Sequence, residues 1–318
     1  MPPSPRIPFL YNPKSGAANS ATGLRSFLLQ HGTGLTICPT LDAEDAQQLV
    51  AHYLSEGADR LVLSGGDGTI NRLLPTLIGT QTALGVCPTG TMNVFARELG
   101  ISTTDHAQML HTIQHGEVKE VDVFAINGHP FIQMAGIGYD AHIIEQTSKE
   151  QKAKLGPLAY ILSIAKVFGN TPPEITIETA EGHRVKGVCA LIGNGTLYGG
   201  QLTLFNNASH SDQLIDLLVI KSSGYQALLD LAQKLLSGVA PNVNLTNENV
   251  ATIQSRQVTI TASSDLPYEL DGEYYGRASR FEITLSPHRL RVLSPTQPVS
   301  NDWSERLSAL WSLAPIGK

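Results

Sequence analysis

The chain has 318 residues, 42% apolar and 6% aromatic. That is enough for about two domains with aliphatic cores, and it excludes an intrinsically disordered chain. Its 22 basic and 28 acidic residues leave a net charge of −6, so there is no basic excess to hold nucleic acid and no net attraction to anionic lipid. The three cysteines, Cys38, Cys87 and Cys189, lie far apart and form no CxxC pair, which suits a reducing compartment better than a disulfide framework.

In chain order, the first third alternates strand and helix. Residues 7–11 read as a strand, followed by a polar loop and a helix over 21–30. Residues 35–38, 60–64 and 84–87 are strand-like, while 43–55 and 70–77 carry helical spacing. This alternation predicts a parallel sheet with helices on both faces. Near residue 120 the pattern changes. Residues 121–126 and 129–134 flank Asn127-Gly128, the pair suited to the two positive φ angles of a type I′ hairpin. A helical interval over 141–168 follows. Strand-like pieces at 174–179, 185–192, 214–220, 257–261, 281–285 and 290–293 then predict an antiparallel β domain. The longest apolar-rich run, 158–168, is too short to cross a bilayer, and residues 1–9 carry no apolar leader, so a soluble cytoplasmic protein is expected. The tail spaces Trp303, Leu307, Leu310 and Trp311 helically. That suits a helix packed on its own domain or one lying on a membrane surface.

Three glycine-rich loops follow predicted strands: Asn12-Pro13-Lys14-Ser15-Gly16, Gly65-Gly66-Asp67-Gly68-Thr69, and Pro88-Thr89-Gly90-Thr91-Met92-Asn93. Open α/β sheets bind ligands at the carboxyl ends of their strands. Glycines let backbone N–H groups approach phosphate oxygens, and helix starts favour negative charge. Asp67 would repel phosphate unless a metal bridged them, which points to a magnesium nucleotide. No GxxxxGK[ST] loop is present. Gly136-Ile137-Gly138-Tyr139-Asp140-Ala141 imitates a dinucleotide fingerprint but follows the hairpin instead of opening a first βαβ unit. Ser163-Ile164-Ala165-Lys166 matches SxxK without its partner motifs. His111 and His115 read as a solvated helix face with no third ligand in view. Late in the chain, Asp271-Gly272-Glu273 places two carboxylates two residues apart. On one strand both would face the same side; the alternative is a hairpin turn with acidic decoration.

Taken together, these blocks resemble the diacylglycerol kinase catalytic-domain family, which includes bacterial lipid kinases and sphingosine kinases and is related to NAD kinases. The resemblance runs from about Tyr11 to Leu293. It includes Val121-Asp122-Val123, the 136–141 block, Asn194-Gly195 with Tyr198-Gly199-Gly200, and Asn207-Ala208 before Asp212. It implies an α/β nucleotide-binding domain over 1–122, rejoined by about 289–318, and a C-terminal antiparallel β-sandwich domain for the lipid substrate over 123–288. The active site would lie in the cleft between them. The resemblance further implies ATP held by Asn12, Pro13, Lys14, Ser15, Gly16, Thr40, Gly65, Gly66, Asp67, Gly68, Thr69, Ile70, Asn71, Arg72, Thr91 and Asn93. Asp67 would stand near the catalytic magnesium, with Asp122 in the same acidic network. A second magnesium would sit by Asp212 with main-chain oxygens of Ser209 and Leu214. Asp271 or Glu273 would be the general base toward a hydroxyl of diacylglycerol or a related lipid at the membrane surface. Ile132, Met134, Ile143 and Leu158 are candidates for the acyl pocket. A homodimer is left open. Two positions depart from the family pattern: Val94 stands where many members have Asp, and Gln213 follows Asp212 where a glycine is usual. They motivate an alternative, a nucleotide-binding regulatory protein with little catalysis. A kinase for a soluble acceptor such as NAD is the other reading.

Overall fold

Unbroken apolar runs such as Leu61-Val62-Leu63 are buried throughout, as strands covered on both faces must be. The computed structural model describes residues 6–13, 24, 26–28, 30–138, 173–200, 202–221 and 249–296. In it these runs form the centre of a six-stranded sheet. Its first strands are β1 (Ile7–Tyr11), β2 (Leu35–Pro39), β3 (Arg60–Gly65), β4 (Ala83–Pro88) and β5 (Glu117–Val121). The order is β2-β1-β3-β4, then the late strand Leu290–Ser294, then β5. All pairings are parallel except that of Leu290–Ser294 with β5. The helices are α1 (Ala43–Ser55), α2 (Asp67–Leu77), α3 (Val94–Glu98) and α4 (His106–His115). Asp42 opens α1 by accepting from Asp45 N, and Asp105 opens α4 by accepting from Ala107 N and Gln108 N, both ordinary aspartate caps. One apolar core runs from Phe9 through Leu74 and Ile113 to Val292.

The chain leaves this sheet at Asp122 and enters a second, antiparallel one. Its strands are β6 (Phe124–Ile126), β7 (His129–Phe131), β8 (Met134–Ile137), β9 (Ile175–Thr179), β10 (Arg184–Gly187), β11 (Cys189–Gly193), β14 (Ile215–Ile220), β15 (Val250–Ser255), β16 (Gln257–Leu270) and β17 (Glu273–Leu285). Here β12 (Leu197–Tyr198) and β13 (Leu202–Thr203) form a separate small ribbon, and β18 is the returning strand Leu290–Ser294. The turn between β6 and β7 is Asn127-Gly128, with φ of 51° and 83°, as a type I′ hairpin requires. β16 is long enough to pair with β8 near Tyr268 and with β9 near Ile260. Strands from both ends of the sheet, such as β6 and β15, share one core. β18 then carries the chain back between β4 and β5, which sets the hairpin of β16 and β17 against the first domain.

Candidate active site

The β3–α2 and β4–α3 loops cross with almost no space between their backbones. A Cβ on Gly90 would lie 2.5 Å from the Cα of Gly66, so neither loop tolerates a side chain there. Asn93 closes the second loop. Its φ is 51°, its Oδ1 accepts from Gly90 N at 2.9 Å, and its Nδ2 donates to Gly90 O at 2.8 Å. Asp67 opens α2, and its carboxylate also caps α3, accepting from Val94 N and Phe95 N at 3.0 Å each. Burial raises its pKa, opposed by those amides and by Arg97. An ionised carboxylate has about four acceptor sites, so two bonds to amides leave capacity for a ligand.

Beside this crossing lies a cavity of about 210 Å³ lined by Asn12, Thr40, Ser64, Thr69 and Arg72 over an apolar floor that includes Leu63. The fold thus brings together four predicted nucleotide residues, Asn12 and Thr40 just after β1 and β2 and Thr69 and Arg72 on α2. The others divide. Gly65 cannot hold a Cβ because Thr69 would lie 2.5 Å away. Ile70 is core. Pro13 and Thr91 are exposed and do not line the cavity. Lys14, Ser15 and Gly16 lie outside the described residues. Asn71 faces the second domain, its Nδ2 donating to Asp271 Oδ2 at 2.9 Å and to Pro130 O at 3.2 Å.

The two late carboxylates part company. Asp271 and Gly272, with φ of 48° and 82°, form the two-residue turn between β16 and β17. Of the two readings of the triplet, the hairpin turn is the one seen: Asp271 is in the turn, and the two acids do not share one strand face. Its side chain points inward and is saturated. Oδ2 accepts from Asn71 Nδ2 at 2.9 Å and Ile132 N at 3.1 Å, and Oδ1 from Gln133 N at 2.9 Å and Met134 N at 3.1 Å. Burial nevertheless pushes its pKa up to about 6. Glu269 braces the turn by accepting from Gly272 N at 2.7 Å. Glu273 begins β17 and remains half-buried. A methyl placed on Gly68 would collide with its carboxyl group, so Glu273 lies directly over the first turn of α2. Its Oε2 is 3.7 Å from Arg72 Nη2.

A second acidic loop gathers Asp122, Ser209, Asp212 and Leu214, with Asp122 facing a protein cation. Asp122, 1% exposed, accepts from Gln213 N at 2.7 Å through Oδ2. Its Oδ1 lies 2.8 Å from Arg289 Nε, an ion pair without hydrogen-bond alignment. Asp212 N donates to Ser209 O at 3.4 Å, and Asp212 Oδ1 accepts from Leu214 N at 2.9 Å. Burial and then the Asp122 charge raise the Asp212 pKa. Gln213 holds the left-handed conformation of the absent glycine, at φ 63°. Magnesium needs a near-octahedral oxygen shell, whereas the Asp122 carboxylate is already matched by a guanidinium. Asp122 is therefore not open to a cation in this arrangement. Among the described residues, no group of three or more His, Cys, Asp or Glu is placed to hold a metal ion.

Sequence reasoning missed the polar seam beside this loop. Gln133 Nε2 donates to Glu98 at 3.1 Å, and its Oε1 lies 3.0 Å from His210 Nε2. Burial lowers the pKa of His210. Asn194 donates to Asp122 O at 2.8 Å and Ile132 O at 2.7 Å; the Asn194-Gly195 block was its one visible signal. Arg289 had none, because its partner is distant in sequence. Of the acyl-pocket candidates, Ile132 belongs to the first core and Met134 to a smaller cluster with Val94, Cys189 and Tyr198. Ile143, Leu158, the SxxK match and the 303–311 tail lie outside the described residues.

Comparison with known proteins places this geometry. Residues 6–126 match the diacylglycerol kinase catalytic domain, and residues 133–294 match the YegS C-terminal NAD kinase beta sandwich-like domain. A Bacillus subtilis (strain 168) protein named diacylglycerol kinase is 28% identical over 300 residues, covering 92% of this chain and 97% of that one. A Pseudomonas fluorescens protein named "Probable lipid kinase YegS-like" is 31% identical over 269 residues, covering 83% and 87%. A solved diacylglycerol kinase structure from Bacillus anthracis str. Sterne overlays with a TM-score of 0.70 at 22% identity, covering 93% of this chain and 98% of that one. An NAD kinase from Archaeoglobus fulgidus in complex with ATP gives 0.51 at 12% identity, covering 95% and 99%. These two are likenesses of fold. No helix among the described residues is long and apolar enough to cross a membrane. With family models matched on both sides of the cleft and relatives aligned along most of its length, the chain belongs to the diacylglycerol kinase family of lipid kinases, which are phosphotransferases.

Proposed function

We propose that the protein transfers the γ-phosphate of ATP to a hydroxyl of diacylglycerol or a related lipid at the membrane surface, with Glu273 as general base. The observation that carries this reading is the position of the Glu273 carboxyl group, over Gly68 in the cleft and beside the loop-lined cavity. Phosphoryl transfer asks for positioning and charge neutralisation more than covalent chemistry. Asn12, Thr40 and Thr69 offer polar groups to the donor, and the α2 N-terminus favours its negative charge. A lipid hydroxyl is a poor nucleophile, and Glu273 is placed to take its proton. Asp271, its four acceptor sites filled, instead anchors the hairpin on which Glu273 stands. Asp67 retains acceptor capacity and suits magnesium shared with donor phosphates, a mode needing only one or two carboxylates. Such an ion would neutralise charge on the phosphates. Asn71 ties α2 to the hairpin on which Glu273 stands.

The test is transfer of radiolabelled γ-phosphate from ATP into a total lipid extract with magnesium. A chloroform-soluble labelled product, absent with Glu273→Gln and Asp67→Asn, is expected. ATP binding with no lipid labelled would instead favour a regulatory binder, and conversion of added NAD to NADP a soluble-acceptor kinase.

A further inference from the structure

Arg72 occupies two places at once. It stands one helical turn after Gly68 on α2, and its guanidinium lies 3.7 Å from Glu273. It also lines the cavity with Asn12, Thr40 and Thr69, where it is the only cation among the described lining residues. The pair with Glu273 is longer than a hydrogen bond, and the Arg72 side chain is 53% exposed, so solvent screens it. Phosphate is the stronger partner, because a guanidinium binds its oxygens in a fork and a polyphosphate carries several charges.

The geometry points to Arg72 as a positioning residue that couples the donor site to the base: it is held by Glu273 when the cavity is empty and is drawn to the donor phosphates when nucleotide binds. Glu273 then loses its cation at the moment the phosphoryl donor is in place and stands free for the acceptor's proton. This rests on the nucleotide reading above. It also sets a thermodynamic requirement. If Glu273 and phosphate compete for one guanidinium, the carboxylate and the nucleotide oppose each other through Arg72, and the coupling is reciprocal.

The experiment is a double-mutant cycle read by calorimetric binding of magnesium ATP to the full chain without lipid. Glu273→Gln should tighten binding about threefold, the scale of a screened ion pair. Arg72→Met should weaken it about tenfold, the loss of one forked phosphate contact. In the Arg72→Met background, Glu273→Gln should change binding by less than about 1.5-fold, because the competitor is gone. Arg72→Lys should restore part of the Glu273→Gln gain, and all variants should melt with wild type. A gain of equal size in both backgrounds would mean simple charge repulsion and would overturn the coupling, as would no gain in either. If wild type binds no ATP, the nucleotide reading itself falls; if it binds but the cycle shows no coupling, only the role of Arg72 does.

Discussion

Two acidic regions of this molecule look alike in the sequence and differ in what their oxygens do. Around the first turn of α2, Asp67 keeps acceptor capacity beyond its two amides, and Glu273 reaches over Gly68 into the cleft. In the 209–214 loop, Asp122 is enclosed and already matched by Arg289 and the Gln213 amide. A carboxylate is open to a cation where no protein cation already matches it. Where a guanidinium does, as Arg289 does at Asp122, the same residue is a tie between segments.

The sharpest way to break this comparison is at Glu273. Glu273→Gln should lower turnover by about 10²–10⁴-fold, the usual contribution of a general base, while a thermal melt stays unchanged; near-normal initial rates would return the base to another residue. Next comes Arg289→Met, which leaves Asp122 buried and unmatched. It should cost about 1–3 kcal/mol, the scale for leaving one buried polar group unmatched when the partner lost is a third exposed and screened by solvent, read by urea unfolding. Magnesium should raise the melting temperature of that variant and not of wild type. Stabilisation of wild type by magnesium that Asp212→Asn abolishes and Asp67→Asn does not would show that the 209–214 loop accepts a cation after all.

A third test uses pH. Asp271 has a folded pKa of about 6 against an ordinary 3.8, so the folded state holds a proton that the unfolded chain releases. The stability this group contributes is therefore present below about pH 4 and is lost as pH rises through about 6. Asp271→Asn cannot titrate. The stability of wild type relative to this variant should fall by at most about 3 kcal/mol between pH 4 and 7, at 1.36 kcal/mol per unit. A flat difference would mean that the four donors keep Asp271 ionised throughout. The smallest effect is expected at Gln213, whose φ of 63° costs a residue with a Cβ about 1–2 kcal/mol. Gln213→Gly should recover about 0.5 kcal/mol once glycine's extra backbone entropy is charged against it, measurable as a small rise in the urea midpoint.

Much of the fold is legible because its signals are local. Alternating strand and helix periods mark the first sheet, and Asn127-Gly128 marks the β6–β7 hairpin. Asp271-Gly272 is a hairpin signal of the same kind, and the residues alone leave it open against one strand that would put both acids on one face. The turn instead rotates Asp271 inward and leaves Glu273 outward. Asn71 follows GGDGT directly after Ile70, and the resemblance places it among the nucleotide residues. Its amide is claimed by Asp271, 200 residues away in sequence, a distance at which spacing carries no information.

The sequence by itself determined the two-domain α/β and antiparallel-β plan, the glycine-rich loops and the set of acids from which a site could be made. Those depend on side-chain period, on φ values open chiefly to glycine and asparagine, and on residue type. Only the tertiary structure decided which acids are available. That depends on groups arriving from distant segments: the amides of 132–134 at Asp271, the Arg289 guanidinium at Asp122, and at Glu273, among the described residues, only the loose guanidinium of Arg72.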